Sequence, residues 1–142
     1  RCSRDWSSDV CSSDLERVVA GRARIGFETD HKSIPNELGF LNNSVHMKKG
    51  CYPGQETVAK INNLGVPPRK LVLLHLDGSM VELPKLHDPI FDGEKEVGFI
   101  GTVVRHYELG PIALAVLKKS VPIENTLIIS GVSASQESIN RH

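Results

Sequence analysis

The pattern of apolar and polar positions changes from helical to extended near residue 67. Between residues 55 and 64, apolar side chains recur at every third position and Gly65 follows, which predicts one short helix over 55–64. Its apolar positions are Val58, Ile61 and Leu64. The segment "GVPPR" after this helix is typical of a stiff linker, so we expect a domain boundary between residues 66 and 67.

Beyond the linker, four to six apolar segments follow one another at roughly ten-residue spacing. Two Asp-Gly pairs, which are typical turn and hairpin signals, separate some of these segments. The pairs are Asp77-Gly78 and Asp92-Gly93. Gly98 and Gly101 lie inside the segment "EVGFIGTVVRH", where glycines often mark bulges or barrel corners. The pattern predicts a small antiparallel β-barrel or sandwich over residues 67–132 and, with the helix, an α+β fold.

Residues 16–46 show neither the helical nor the strand period of apolar positions over an extended stretch. A short apolar run can close a helix at Gly21, and the rest is predicted to be irregular chain with short strands. A small autonomous domain rarely carries so much irregular chain, so residues 16–66 are expected to be the end of a larger domain. The polar segment 133–142, "SASQESINRH", is predicted to be a disordered tail.

The first fifteen residues, "RCSRDWSSDVCSSDL", do not resemble the rest of the chain. They are rich in serine and have no apolar period of two or of 3.6. The run "DWSSDVCSSDL" looks like a sequencing adapter translated in one frame. We therefore expect residues 1–15 to be an artefact, and the genuine chain to be the C-terminal part of a longer protein that begins before Glu16.

Composition argues against several classes of function. The chain has 17 basic and 17 acidic residues, and leaving out residues 1–15 removes two basic and three acidic ones, which gives a net charge of +1. A nearly neutral chain has no bulk electrostatic attraction to nucleic acid or anionic membrane, and no apolar run approaches the roughly 18 residues of a membrane span. Outside residues 1–15, Cys51 is the one cysteine. This usage fits a reducing cytoplasm, and we expect no direct contact with nucleic acid or membrane.

The stretch "MKKGCYPGQETVAK", residues 47–60, holds the candidate chemistry. Cys51 lies just before the predicted helix start, and Lys48 and Lys49 lie on its other side. A helix N-terminus carries free N–H groups and partial positive charge, and nearby ammonium groups add to it, so both features favour a thiolate. One interpretation of this stretch is therefore a reactive thiol at Cys51, a single metal ligand or an anion-binding turn.

The residues around this cysteine suit a ligand-binding turn. Gly50 and Gly54 allow the backbone to turn sharply and to approach a ligand closely. Gln55 and Glu56 place an amide and a carboxylate at the mouth of the turn. The alternative is a small buried cysteine that Tyr52 covers. A phosphate-binding loop is excluded because no Gly-Lys-Ser/Thr follows, and a zinc site is excluded because one cysteine without paired ligands cannot fill four positions.

The octapeptide "KGCYPGQE" resembles the signature K-G-C-Y/F-x-G-Q-E of the YgfZ family, which are folate-binding-like relatives of the glycine-cleavage T-protein. Its fixed positions are Lys49, Gly50, Cys51, Tyr52, Gly54, Gln55 and Glu56. The segment "ERVVAG" resembles the family's R-x-E-A-G, in which Arg17 and Gly21 match and Val19 stands in place of glutamate. The stretch "GFETDHKSIPNELGF" resembles actinobacterial-type members, and "NNLGVPPRKLVLLHLDG" resembles the entry into the family's C-terminal barrel.

The resemblance covers residues 16 to about 130 and implies the end of a folate-binding core followed by an antiparallel β-barrel. It implies a protein that supports the assembly or repair of iron–sulfur clusters in a subset of enzymes, including enzymes that thiomethylate tRNA. Tetrahydrofolate is the implied cofactor, with Arg17 as a folate-binding residue. Cys51 is the implied catalytic thiol and transient cluster ligand. Because one cysteine cannot hold a cluster alone, the implied partners are iron–sulfur assembly proteins or client enzymes.

Two other functions stay open from the sequence. The first is a tetrahydrofolate-dependent aminomethyltransferase similar to the T-protein, against which the cysteine signature and Val19 both count. The second is a non-catalytic interaction module, in which the barrel docks a partner and Cys51 is structural. Whether the protein catalyses a reaction is not settled by these residues.

Overall fold

The structure is a computed structural model that describes residues 12–79 and 82–139. The described residues form three helices, α1 (Ser12–Val19), α2 (Leu41–Ser44) and α3 (Gln55–Leu64). They also form six strands, β1 (Arg69–Leu76), β2 (Pro89–Asp92), β3 (Lys95–His106), β4 (Gly110–Lys118), β5 (Leu127–Ile129) and β6 (Val132–Ser138). The helix predicted over 55–64 is confirmed at both ends.

The strands close into one antiparallel barrel in the order β1-β4-β3-β2-β5-β6, and β6 pairs back onto β1. The predicted hairpin joins β2 to β3, with Asp92 opposite Lys95 and Gly93 in the left-handed region at φ 64°. None of the six described strands is therefore an edge strand, which is the usual advantage of a barrel over an open sheet. The predicted α+β fold that ends in a small antiparallel barrel is confirmed.

The predicted disordered tail is wrong for most of its length. Residues Val132–Ser138 form β6, which pairs with β5 on one side and with β1 on the other. Ala134 is buried in the barrel, opposite Leu76 and Leu127 in the register. The strand is stabilised mainly by backbone pairing to two neighbours. Because most of its side chains are polar, the sequence shows no apolar run that would indicate a strand. Residues 140–142 lie outside the described part of the chain.

Both faces of β1 and β4 are buried, which explains why these strands have nearly unbroken apolar runs. Side chains of one parity fill the barrel interior. This interior cluster includes Leu74, Ile90, Ile100, Ala113 and Ala115. Side chains of the other parity point outward, and Leu73 and Leu114 belong to a second cluster with Val18 and Leu38. The chain before β1 therefore supplies a second layer on one side of the barrel.

This outer layer consists of α1, a series of turns and the short α2. The predicted helix end at Gly21 is confirmed, since α1 ends at Val19 and Gly21 adopts φ 63°. A Cβ atom at Gly21 would lie 2.6 Å from Ile139 Cγ2, so the end of the barrel chain packs onto the end of α1. The predicted short strands are wrong, because residues 20–54 contain no strand. Many backbone N–H groups of these residues donate instead to carbonyl oxygens in local turns or to side-chain carboxylates.

The interior glycines of β3 mark bulges, as the sequence predicts. The pairing of β2 with β3 shifts register beside Gly98, and the pairing of β3 with β4 shifts register beside Gly101. Such bulges bend the strand and increase its twist, which helps a six-stranded sheet to close.

We expect Gly98→Ala to lower the free energy of unfolding by about 1–3 kcal/mol, the usual range for overpacking a full site. A Cβ atom at Gly98 would overlap the Val116 carbonyl oxygen and lie 3.0 Å from Leu117 Cα, and both are backbone atoms that cannot rotate away. Urea denaturation checks this result. Gly78→Ala is the matched control, because a Cβ atom at Gly78 meets nothing within 4 Å. Equal midpoints for the two variants would contradict the prediction.

Candidate functional site

The loop that carries Cys51 connects α2 to α3 and is built from turns. The Lys49 N–H donates to the His46 carbonyl oxygen at 3.1 Å, and the Gln55 N–H donates to the Tyr52 carbonyl oxygen at 3.2 Å. Between these two turns, Cys51 is exposed and its thiol is free. The loop therefore displays the sulfur to solvent on a short backbone segment that is fixed at both ends.

Gly54 and Gln55 determine how this loop meets α3. Gly54 is the N-cap residue and adopts φ 82° and ψ 0°, a left-handed conformation that a side chain at this position would strain. Gln55 Nε2 donates to the Lys49 carbonyl oxygen at 3.4 Å and so spans the base of the loop. The structure thus places Lys49, Cys51, Gly54 and Gln55 in one loop, and Gln55 acts as a brace.

The other signature residues have different positions. Gly50 does not adopt a positive φ and has open space around its Cα atom, so no steric need for glycine is visible there. Tyr52 is half-buried, and Glu56 is exposed in the first turn of α3, where a carboxylate interacts favourably with the helix dipole. The alternative of a buried cysteine covered by Tyr52 is wrong for this structure, since Cys51 is exposed.

Arg17, the candidate folate-binding residue, is held by protein groups. Its Nε donates to Asp14 Oδ1 at 3.2 Å, its Nη1 to the Arg22 carbonyl oxygen at 2.7 Å, and its Nη2 to Thr102 Oγ1 at 2.7 Å. Its Nη1 also lies 3.5 Å from Glu28 Oε2. The guanidinium group therefore ties α1 to β3.

Glu28 completes this connection from a fully buried position. Its Oε1 accepts hydrogen bonds from the backbone N–H and the hydroxyl of Thr102 at 2.7 and 2.6 Å, and its Oε2 accepts one from the Arg24 N–H at 2.6 Å. The side chain lies against Gly101, where a Cβ atom would come within 2.7 Å of Glu28 Cγ. This carboxylate and Arg17 form a buried network that anchors the outer layer to the barrel.

Two curated proteins align with most of this chain. The "tRNA-modifying protein YgfZ" of Buchnera aphidicola is 33% identical over 115 residues, which cover 76% of this chain and 35% of that protein. The protein of the same name from Colwellia psychrerythraea is 31% identical over 100 residues, which cover 67% of this chain and 29% of that protein. The chain is related to the YgfZ family. No family model matches it, and the chain spans about a third of the length of these two YgfZ proteins.

The residues that the YgfZ resemblance implies for folate do not fit a pterin ring in this structure. Val19 stands where an acidic side chain is implied, and it is 45% exposed and has no hydrogen-bonding side-chain atom. Arg17 donates to four protein groups, and the Glu28 carboxylate accepts from Thr102 and Arg24 as well as from Arg17. Within the described residues, Arg17 therefore has a structural role in holding α1 against β3.

A cluster that includes Cys51 would need ligands from elsewhere. Within residues 12–79 and 82–139, no group of three or more His, Cys, Asp or Glu side chains could hold a metal ion. The described part of this YgfZ relative therefore offers one exposed sulfur rather than a complete metal site.

Within residues 12–79 and 82–139, no helix is long and apolar enough to span a membrane.

An ion cluster that the sequence pattern does not indicate lies where the outer layer meets β1. Arg69 binds both oxygens of Asp30 at 2.8 and 3.1 Å and contacts Glu37 at 2.9 to 3.1 Å. The side chain of Glu37 is fully buried. The two carboxylates precede Arg69 by 39 and 32 residues, so no local spacing pattern could have revealed the cluster. It fixes the chain before α2 to the first strand of the barrel.

Proposed function

We propose that Cys51 is the working thiol of a YgfZ-type protein that supports the assembly or repair of iron–sulfur clusters in enzymes, including enzymes that thiomethylate tRNA. The observation that carries the proposal is the exposed, free thiol at the centre of the signature octapeptide. Two curated relatives named as tRNA-modifying proteins support the link to tRNA modification.

In this proposal the cluster is cargo. The Cys51 thiol loses its proton and the thiolate sulfur binds one iron of a cluster in transit, in place of a ligand that the donor protein gives up. Iron–sulfur clusters are usually held by four protein ligands, so one cysteine supplies one of them and a partner supplies the rest. The partner is an iron–sulfur assembly protein or a client enzyme. An exposed loop suits such an exchange because both proteins must reach the same iron.

The loop geometry gives the other signature residues supporting roles. Gly54 permits the left-handed turn that starts α3, and Gln55 ties the base of the loop to the Lys49 carbonyl oxygen. Both features hold the sulfur on a defined backbone without covering it. A ligand on a preorganised loop loses less conformational entropy when it binds than one on a free chain.

The decisive variant is Cys51→Ala. We expect the gene that encodes this chain to restore tRNA thiomethylation in a bacterium that lacks its own YgfZ protein, and the Cys51→Ala gene to leave it at the level of the deletion strain. Thiomethylated nucleosides are quantified by mass spectrometry of digested tRNA, with protein levels matched by immunoblotting. The physical reason is that alanine has no atom that binds iron.

The control variant is Asn63→Ala, an exposed position on α3 outside the signature. It should restore thiomethylation like the wild type. Because Cys51 is exposed, its substitution should change the free energy of unfolding by no more than about 0.5 kcal/mol, so misfolding would not explain a loss of function. Equal restoration by wild type and Cys51→Ala would refute the proposed role of the thiol.

A further inference from the structure

The hairpin between β3 and β4 ends in an aromatic pair that Cys51 chemistry does not use. Tyr107 is 83% exposed, which makes it the most exposed large apolar or aromatic side chain within the described ranges. Its ring stacks on that of His106, with ring centroids 4.4 Å apart and planes 22° from parallel. Leu109, on the same tip, is 46% exposed. The tip therefore presents an exposed aromatic ring that is stacked on a second ring.

The pair is held in place rather than mobile in solvent. His106 Nδ1 accepts two hydrogen bonds, from the backbone N–H groups of Glu108 and Leu109, each at 3.1 Å. These two bonds fix the His106 ring against the turn, and the fixed ring supports one face of Tyr107. The second face of Tyr107 is available to a flat ligand.

We propose that this hairpin tip is a stacking site for an unpaired base of RNA. Aromatic side chains that present a free face are the usual platforms for unpaired bases, often beside an arginine. Arg105 is exposed two positions before Tyr107 and supplies a cation for the adjoining phosphate. The inference rests on the proposed function, in which the client enzymes act on tRNA.

The charge of the chain limits what kind of RNA contact this is. With a formal net charge of zero, the chain has no excess positive charge to attract the phosphates of a long duplex. Stacking does not need such a surface, because every base has an aromatic face and the contact is local. The sequence-based expectation of no direct nucleic acid contact was drawn from the net charge of the chain. Net charge does not determine whether a single exposed aromatic ring can stack on a base.

The test measures binding of a fluorescein-labelled single-stranded RNA oligonucleotide to the purified chain by fluorescence anisotropy at low salt. We expect Tyr107→Ala to weaken binding about tenfold, as expected for the loss of one base–aromatic stack, and Tyr107→Phe to retain it. A blunt duplex of the same sequence should bind more weakly than the single strand. Photocrosslinking with 4-thiouridine in the RNA should place the adduct on the 105–109 tip.

The matched control is Ile25→Ala, which removes another highly exposed apolar side chain, in the turns between α1 and α2. It should leave the affinity unchanged. Equal affinities for wild type and Tyr107→Ala, or a duplex that binds as well as the single strand, would overturn the inference. A Tyr107→Ala variant that binds RNA normally but fails to restore thiomethylation would also overturn it, in favour of a protein contact. Cys51→Ala should bind RNA normally, so failure of this inference is distinguishable from failure of the proposed function.

Discussion

Replacing Arg69 with methionine is expected to lower the free energy of unfolding by about 3–5 kcal/mol, the usual result of removing one partner from a buried ion pair. Methionine fills much of the arginine stem but leaves the Glu37 carboxylate buried without its cation. The side chain of Glu37 is fully buried, and that of Asp30 is 28% exposed. The cost is dominated by Glu37, since water can still reach Asp30.

Urea denaturation at neutral pH measures this change. Arg105→Met is the control, because Arg105 is exposed on β3 and its substitution should change the free energy of unfolding by no more than about 0.5 kcal/mol. If Arg69→Met were as stable as Arg105→Met, the cluster would contribute nothing and the outer layer would be held by apolar packing alone.

The same cluster gives stability a defined pH dependence. Hydrogen bonds from the Arg69 guanidinium hold the pKa of Asp30 well below its ordinary value of 3.8. A carboxyl group with a depressed folded-state pKa contributes stability above its unfolded-state pKa and loses it as the pH falls toward the folded-state value. The part of the stability difference between wild type and Arg69→Met that Asp30 contributes should therefore be full at neutral pH and shrink as the pH falls below 3.8.

A second large loss, again about 3–5 kcal/mol, is expected for Glu28→Ala. Its carboxylate accepts hydrogen bonds from Arg24 and Thr102 in a fully buried position and pairs with Arg17. Alanine would leave these donors without an acceptor and would open a space against Gly101. In the Glu28→Ala variant, the outer layer should therefore detach from β3 under conditions in which the barrel stays folded.

Thermal unfolding and hydrogen exchange report these two events separately. Glu28→Ala should speed amide exchange in α1 more than in β4, while Glu16→Ala, which changes an exposed acid on the same helix, should alter neither. Uniform exchange in the variant would show that the layer and the barrel unfold as one unit.

The barrel and α3 were predictable because local patterns specify them. Spacing of three defines α3, and apolar runs separated by Asp-Gly turns define the strands around β1 and β2. The signature octapeptide likewise marked Cys51 as the candidate thiol, and its accessibility follows from the turns on both sides.

The remaining features depend on partners that are distant in sequence. Strand β6 has few apolar residues and exists because two neighbours pair with it. Arg69 meets carboxylates more than thirty residues earlier in the chain. Arg17 matched a family motif, yet its hydrogen bonds go to the protein and not toward a ligand site. Sequence spacing does not encode which distant groups satisfy a buried charge.

The pairing of β1 with β6 also has a consequence for synthesis on the ribosome. Val72 on β1 lies opposite Ser138 on β6, so the pairing of β1 is incomplete until β6 has been synthesised. Ile139 then packs against Gly21 and joins the outer layer to the finished barrel. Until residues 132–139 emerge, β1 and β5 each keep an unpaired edge in the nascent chain. The barrel is therefore most exposed to misassociation in the interval before residues 132–139 become available for pairing.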